Sequence, residues 1–321
     1  MAVNRVEIKD FLVFKGDFAM DFCPGVNVLI GSNGTGKTTL LRTLYGGCKW
    51  RPYITDTSYN KPLEYMFGVD SFNQTGGTVD ITLSDGFILK FIIDSEGKRN
   101  YPDNDKQVKS IVYIPEKDML EHSRGLPETV ERSKGEMSFN NSHLDIIQKA
   151  RAVSQGYNEP LVKEINSVIG GEIYCDGVNF YMKRGDSKVS FSQEASAYKK
   201  FALLARLLDN GSIEPGSVLF WDEPENSLNP ELVPVLVDIL LELSRNGVQV
   251  FIATHSKILS EYFAVSRQKG DTVFFYSLYK EGEQIKYDKD DRFDLLVPNN
   301  LTSEPVRLYE KQIEKGLGGN E

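Results

Sequence analysis

Gly31-Ser32-Asn33-Gly34-Thr35-Gly36-Lys37-Thr38 follows the spacing G-x-x-x-x-G-K-[ST]. Each residue type has a chemical reason to be there. Glycines let backbone N–H groups turn toward phosphate oxygens with no side chain in the way. Lys37 is placed to reach the β- and γ-phosphates of a nucleotide, and the Thr38 hydroxyl to ligate magnesium. Thr39 follows in a helix whose positive N-terminal end faces the same anion. The structural alternative is a glycine-rich turn before a helix. The apolar run Val26–Ile30 before the loop and the helical stretch after it favour the nucleotide reading. A second group is Val218-Leu-Phe-Trp-Asp-Glu223, an apolar strand ending in two carboxylates. Unpaired buried charge is costly, so such an ending implies a cation nearby. Asp222 is placed to hold magnesium and Glu223 to orient and polarise an attacking water. A third is His255 in Phe251-Ile-Ala-Thr-His-Ser256, again just past an apolar run, where it could sense a γ-phosphate. For the last two groups the alternative is a solvated strand end.

The elements that must position these residues alternate between strands and helices. Val3–Phe11 reads as a strand with Val3, Arg5 and Glu7 on one face and Val6 and Ile8 on the other. Val26–Ile30, 110–114, Val218–Trp221, 248–253 and 272–276 read as short buried strands. Helices are expected over 39–45, 143–155, 160–169, 195–209, 230–246, 257–265 and 303–315, the 195–209 helix carrying the apolar set Phe201, Leu204, Leu207 and Leu208. Asp85-Gly86 between alternating apolar runs signals a hairpin over 78–93, and 172–191 reads as another hairpin or meander. Residues 116–142 are polar and lack periodicity. The pattern predicts an α/β fold: a mostly parallel sheet with an added antiparallel β layer and a helical second lobe. No clean linker appears, so 1–321 is read as one compound domain, with 1–115 and 190–321 as the nucleotide-binding core and 116–189 as an inserted mobile lobe and hairpin.

The chain has 321 residues with 40% hydrophobic content, enough for a real core, and a formal net charge of −9. That charge argues against non-specific coating of nucleic acid, though not against a local basic patch. Cys23, Cys48 and Cys175 are far apart and form no C-x-x-C pair, which fits a reducing cytoplasm. No signal-like apolar leader and no run of about 18 apolar residues is present, so no membrane is expected.

Phosphate loop, Asp222-Glu223 and His255, in this order, resemble the ABC-type P-loop ATPases. Trp221-Asp-Glu-Pro-Glu-Asn-Ser-Leu-Asn-Pro230 is similar to the acidic strand and D-loop of the non-transporter branch, the SMC, RecF and OLD-type ATPases of bacterial DNA repair and phage defence. Ile8-Lys-Asp-Phe-Leu, the run Gly25–Lys37 and Tyr113-Ile-Pro-Glu-Lys-Asp-Met-Leu120 also look like that branch. The matching signature stretch is Ser192-Gln-Glu-Ala-Ser-Ala-Tyr-Lys-Lys200, where Ala197 stands at a glycine position and Ser192 or Ser196 could supply the hydroxyl. No Q-loop glutamine follows the 110–114 strand; Glu116 or Lys117 sits there instead. The long heptad array of SMC proteins is absent, and too little chain follows Thr272 for the nuclease domain of the OLD enzymes.

The resemblance implies ATP and Mg2+ as cofactors, hydrolysis to ADP and phosphate, and a cytoplasmic, ATP-dependent homodimer in which Ser192 and Ser196 touch the nucleotide held by the other copy. It implies a switch acting with a separate effector protein, with DNA as a further candidate partner. Arg124, Arg132 and Lys134 could form a contact surface; a solvated loop is the plainer reading of that segment. Competing functions are a nucleotide-gated scaffold with little turnover, the ATPase subunit of an ABC transporter, and a small-molecule kinase. The signature stretch counts against the transporter, and Glu223 beside Asp222 suits water activation better than substrate phosphorylation.

Overall fold

The computed structural model describes residues 1–51, 62–67, 76–93, 99–100, 108–118, 120–132 and 141–316. Its strands are β1 (Val3–Phe11), β2 (Phe14–Asp21), β3 (Val26–Gly31), β4 (Gly77–Leu83), β5 (Ile88–Ile93), β6 (Arg99–Asn100), β7 (Ile111–Ile114), β8 (Glu172–Cys175), β9 (Phe180–Arg184), β10 (Ser187–Ser190), β11 (Val218–Asp222), β12 (Gln249–Ala253), β13 (Val273–Glu281) and β14 (Gln284–Asp290). Its helices are α1 (Lys37–Lys49), α2 (Pro62–Phe67), α3 (Leu126–Arg132), α4 (Asn141–Arg151), α5 (Glu159–Ile169), α6 (Ser196–Asp209), α7 (Val233–Arg245), α8 (Lys257–Ser266) and α9 (Asn300–Gly316).

The central sheet has the order β14-β13-β3-β12-β11-β7. Its pairings run parallel except at the β14 edge, which pairs antiparallel with β13. Every residue of β3, β7, β11 and β12 is buried, as expected where both faces of a parallel sheet are covered. Successive residues serve opposite layers. Val28, Trp221 and Ile252 join the cluster formed with α4 to α8, whereas Leu29, Phe220 and Phe251 join the cluster formed with α1 and the antiparallel sheet. That second sheet, order β2-β1-β4-β5-β6, is the added β layer the hairpin signal predicts. A third sheet, β10-β9-β8, is the 172–191 meander.

The structure departs from the sequence reading in three places. Val3 and Val6 are both fully buried, although strict alternation puts them on opposite faces. The pairing of β1 with β4 shifts register between Val3 and Arg5, and the extra residue turns Val3 inward. Strands β2 and β14 carry no sequence expectation, because mixed charged and apolar edge strands give a weak pattern. Residues 116–142 contain the short helix α3, and Arg124 and Arg132 are exposed there; Lys134 lies outside the described residues. The helices α4 and α5 contribute Ile146, Ile147, Leu161 and Ile165 to the same cluster as Trp221.

Gly31 shows how tightly the sheet fixes the loop that follows it. Its φ is +145°, and a Cβ there would stand 2.2 Å from the Leu278 carbonyl oxygen of β13. Neither backbone can yield. Gly31→Ala is expected to cost about 2 kcal/mol or more, read as a lowered melting temperature; an unchanged melt would contradict this packing.

Candidate functional site

Three adjacent parallel strands, β3, β12 and β11, end on one edge of the central sheet. Thr254, the first residue past β12, donates its N–H to Leu29 at 3.0 Å, and Glu223, the first past β11, donates to Ala253 at 2.8 Å. The phosphate loop, the acidic pair and His255 therefore meet at the carboxyl ends of the strands, where open α/β sheets bind ligands.

The loop opens into α1 through Gly36, whose φ of 88° is left-handed. No side chain caps α1, so its first N–H groups are left to an anion. Gly34 is also left-handed at 75°. Ser32, Asn33, Gly34 and Thr38 are exposed, Thr39 is half-buried, and Thr35 is buried with its hydroxyl donating to the Ser32 carbonyl at 2.8 Å. Lys37 is 5% exposed, and its ammonium donates to the carbonyls of Gly31 at 2.7 Å and Ser32 at 3.2 Å. Burial pulls its pKa down to about 8, against the pull of Glu223, Asp222 and Glu225 in the other direction.

Thr38 and Asp222 meet although 184 residues separate them: the threonine hydroxyl donates to Asp222 Oδ1 at 3.1 Å. Tyr113 donates to Oδ2 of the same carboxylate at 3.2 Å. Burial raises the Asp222 pKa, the Thr38 and Tyr113 bonds oppose that rise, and Glu116 adds to it. A hydroxyl and a carboxylate at this spacing form the hard oxygen donor set that suits Mg2+. Glu223 adopts a left-handed φ of 47°, which turns its side chain out of the strand direction. Its Oε1 lies 3.1 Å from His255 Nε2. Burial, then Glu225, Glu116 and Asp222, lift Glu223 to about 7. Burial, then Lys37, hold His255 below its ordinary value. The two side chains are thus in close contact, and burial disfavours the charged form of each.

Several contacts at this edge carry no sequence expectation. Glu225 accepts from the Thr254 hydroxyl and from the His255 N–H, tying the turn after β11 to the end of β12. Its other oxygen is buried with no partner among the described residues. Glu116, just past β7, accepts from Asn226 at 2.7 Å. Lys200 in α6 is 8% exposed and donates to the carbonyls of Glu223 and Pro224, each at 3.1 Å. It hence links the helix of the signature stretch to the turn bearing Glu223. Its position four residues before Leu204, on the apolar stripe of α6, was the available signal. Asn300 at the start of α9 donates to the Ser32 hydroxyl at 2.7 Å. Ser192 and Ser196 are exposed, and among the described residues no hydrogen bond joins either to the phosphate loop.

A family model described as "AAA domain, putative AbiEii toxin, Type IV TA system" matches residues 114–261. Two DNA replication and repair proteins RecF are similar over part of their length. That of Lactobacillus acidophilus is 27% identical over 149 residues, covering 45% of this chain and 36% of the relative. That of Lactobacillus gasseri is 30% identical over 146 residues, covering 46% and 37%. The chain thus spans little more than a third of the curated relatives it matches. Among solved structures, the SMC head domain from Thermotoga maritima superposes with a TM-score of 0.54 at 16% identity, covering 90% of this chain and 98% of that one. An Smc head bound to the C-terminal winged-helix domain of ScpA gives 0.59 at 12% identity, with 90% and 98% covered. A Pyrococcus furiosus Smc head with an extended coiled coil gives 0.57 at 12% identity, with 97% and 99% covered. With a phosphate loop, an acidic strand end and a histidine brought to one sheet edge, this chain has the fold of the SMC head domains, that of the ABC-type P-loop ATPases.

Proposed function

We propose that this protein is an ATP-hydrolysing switch whose nucleotide site is Gly31–Thr39 with Asp222, Glu223 and His255. One observation carries the reading. At the same sheet edge, Thr38 meets Asp222 at 3.1 Å and Glu223 meets His255 at 3.1 Å, so a metal-binding pair and a water-activating pair flank one phosphate loop.

The loop N–H groups and the open end of α1 bind the phosphates of ATP. Lys37 leaves the carbonyls of Gly31 and Ser32 and turns its ammonium to the β- and γ-phosphates. Thr38 and Asp222 would hold Mg2+, which would neutralise charge on the phosphates. Glu223 accepts the proton of the attacking water, and a pKa of about 7 in the nucleotide-free protein suits that role. His255 holds Glu223 in place and lies where it can contact the γ-phosphate. The nucleotide core is made by 1–115 and 190–321, with 116–189 inserted.

Exposed Ser192 and Ser196 fit a nucleotide held by a second copy, so the active form is a head-to-tail dimer closed by ATP and opened by hydrolysis. Relatives named for DNA replication and repair, and a family description naming a toxin, support a role in DNA repair or phage defence with a separate effector. No helix among the described residues is long and apolar enough to cross a membrane, and the three cysteines are free; a reducing cytoplasm suits both.

The test is phosphate release under multiple turnover, with and without duplex DNA, beside light scattering of Glu223→Gln with and without ATP. Turnover well above one ATP per chain, and a doubled mass only with ATP, are expected. Release of less than one phosphate per chain over hours would favour a nucleotide-gated scaffold, and an unchanged mass would remove the dimer. Stimulation by DNA would favour DNA over a protein as the direct trigger.

A further inference from the structure

Asp222 has two carboxylate oxygens, and only one is turned to the phosphate loop. Oδ1 accepts from Thr38 at 3.1 Å, and Oδ2 accepts from the Tyr113 hydroxyl at 3.2 Å. The sheet register produces the second bond. Tyr113 of β7 stands opposite Phe220 of β11 in a parallel pairing, and Asp222 is two residues beyond Phe220. Side chains two apart on a strand share a face, so the phenol and the carboxylate project from the same side of the sheet.

The phenol has little freedom. Tyr113 is 2% exposed, and its ring packs on Tyr45 with centroids 5.5 Å apart. Tyr45 in turn lies edge-on to Phe220 at 6.3 Å, and its hydroxyl donates to Asp145 at 2.9 Å. Asp145 is itself held by the Lys49 ammonium at 2.7 Å, both side chains almost fully buried. The hydroxyl that reaches Asp222 is therefore carried on a ring wedged into the core between α1 and the sheet.

We propose that Tyr113 is a positioning residue that locks the Asp222 carboxylate in one orientation, with Oδ1 facing Thr38, so that the metal arriving with the nucleotide meets a ligand already set. This rests on the reading that Thr38 and Asp222 hold Mg2+. Tyr113 touches neither the nucleotide nor the metal. It acts through Asp222 alone: without its hydroxyl, a 5% exposed carboxylate loses the donor on Oδ2 and gains a rotation that metal binding must then freeze out.

Tyr113→Phe keeps the ring and removes only the hydroxyl. The experiment is calorimetric titration with ATP, in protein also carrying Glu223→Gln so that nucleotide is not consumed, once with EDTA and once with Mg2+. The Mg2+-free affinity is expected to stay within about twofold, which also reports a folded site. The gain in affinity on adding Mg2+ is expected to shrink about tenfold, the size of a lost bond to a charged group. Repeating the substitution in an Asp222→Asn background separates positioning from general structure. There Tyr113→Phe is expected to change the Mg2+ gain no further, because the two residues act as one unit. An undiminished gain in Tyr113→Phe, or an equal loss in both backgrounds, overturns the proposal. A parent protein whose ATP affinity ignores Mg2+ would overturn the assignment of Thr38 and Asp222 themselves, and the proposal with it.

Discussion

Replacing Glu223 by glutamine is expected to lower ATP turnover by about 10²–10⁴-fold while leaving ATP affinity within a few-fold. The amide would keep the shape and the contact with His255 but cannot accept a proton from water. Phosphate release at saturating ATP measures the first effect and equilibrium binding the second; a variant that still turns over at a tenth of the parental rate would remove Glu223 as the base. The same carboxylate predicts a pH dependence. In the free protein Glu223 must be ionised, so kcat/KM should rise with pH through about 7. A stability change accompanies it. Burial and the neighbouring carboxylates lift the group from 4.5 to about 7, so the folded chain holds the proton more tightly than the unfolded chain. The stability this supplies is complete below the unfolded pKa and is lost as pH rises through about 7. Glutamine cannot ionise and avoids that loss. Glu223→Gln is expected to melt above the parent at alkaline pH, by roughly 1–3 kcal/mol, and to lose the advantage in acid. Thermal melts across the range decide it.

Lys37→Met is expected to weaken ATP binding by about 10–100-fold, because it removes a charge-assisted bond to phosphate. The folded protein should tolerate the change. Burial lowers the Lys37 pKa from 10.5 to about 8, so near neutral pH the folded state carries a penalty for an ammonium that the unfolded chain does not feel. Methionine has a similar stem and no charge to bury. A melting temperature at neutral pH equal to or above the parent's, together with lost nucleotide binding, is the expected pairing. The stability difference should narrow as pH rises past the folded pKa toward that of the free side chain, where both states are neutral. Unchanged ATP affinity in Lys37→Met would mean that the nucleotide does not sit on this loop. A protein that binds no ATP only because it has unfolded would show itself in the melt.

How the signature helix is joined to the acidic turn shows where reading by sequence stops. Nothing in the sequence of Ser192–Lys200 pairs Lys199 or Lys200 with a partner, yet both are buried, one against Glu121 and the other against the carbonyls of Glu223 and Pro224. Which way a lysine points is set by what packs over it, and that packing brings together segments far apart in the chain. Glu116 and Asn226, 110 residues apart, clasp only because β7 lies beside β11. Asn300 reaches Ser32 only because α9 packs near β3, the strand that leads into the phosphate loop. The order of the strands has no local signal: β3 pairs with β12 and β13, both more than 200 residues away.

The sequence by itself determined the phosphate loop, the two carboxylates at the end of an apolar strand, and the alternation of strands with helices. Each is written in a few contiguous residues whose backbone conformation, burial and charge act on one another directly. The tertiary structure alone decided what surrounds them: that Thr38 and Asp222 come within 3.1 Å, that Glu223 rests on His255, and that Tyr113 holds the far side of Asp222. Those contacts depend on strand order and register, which are fixed by how two hydrophobic clusters close on opposite faces of one sheet, and so by the whole chain at once.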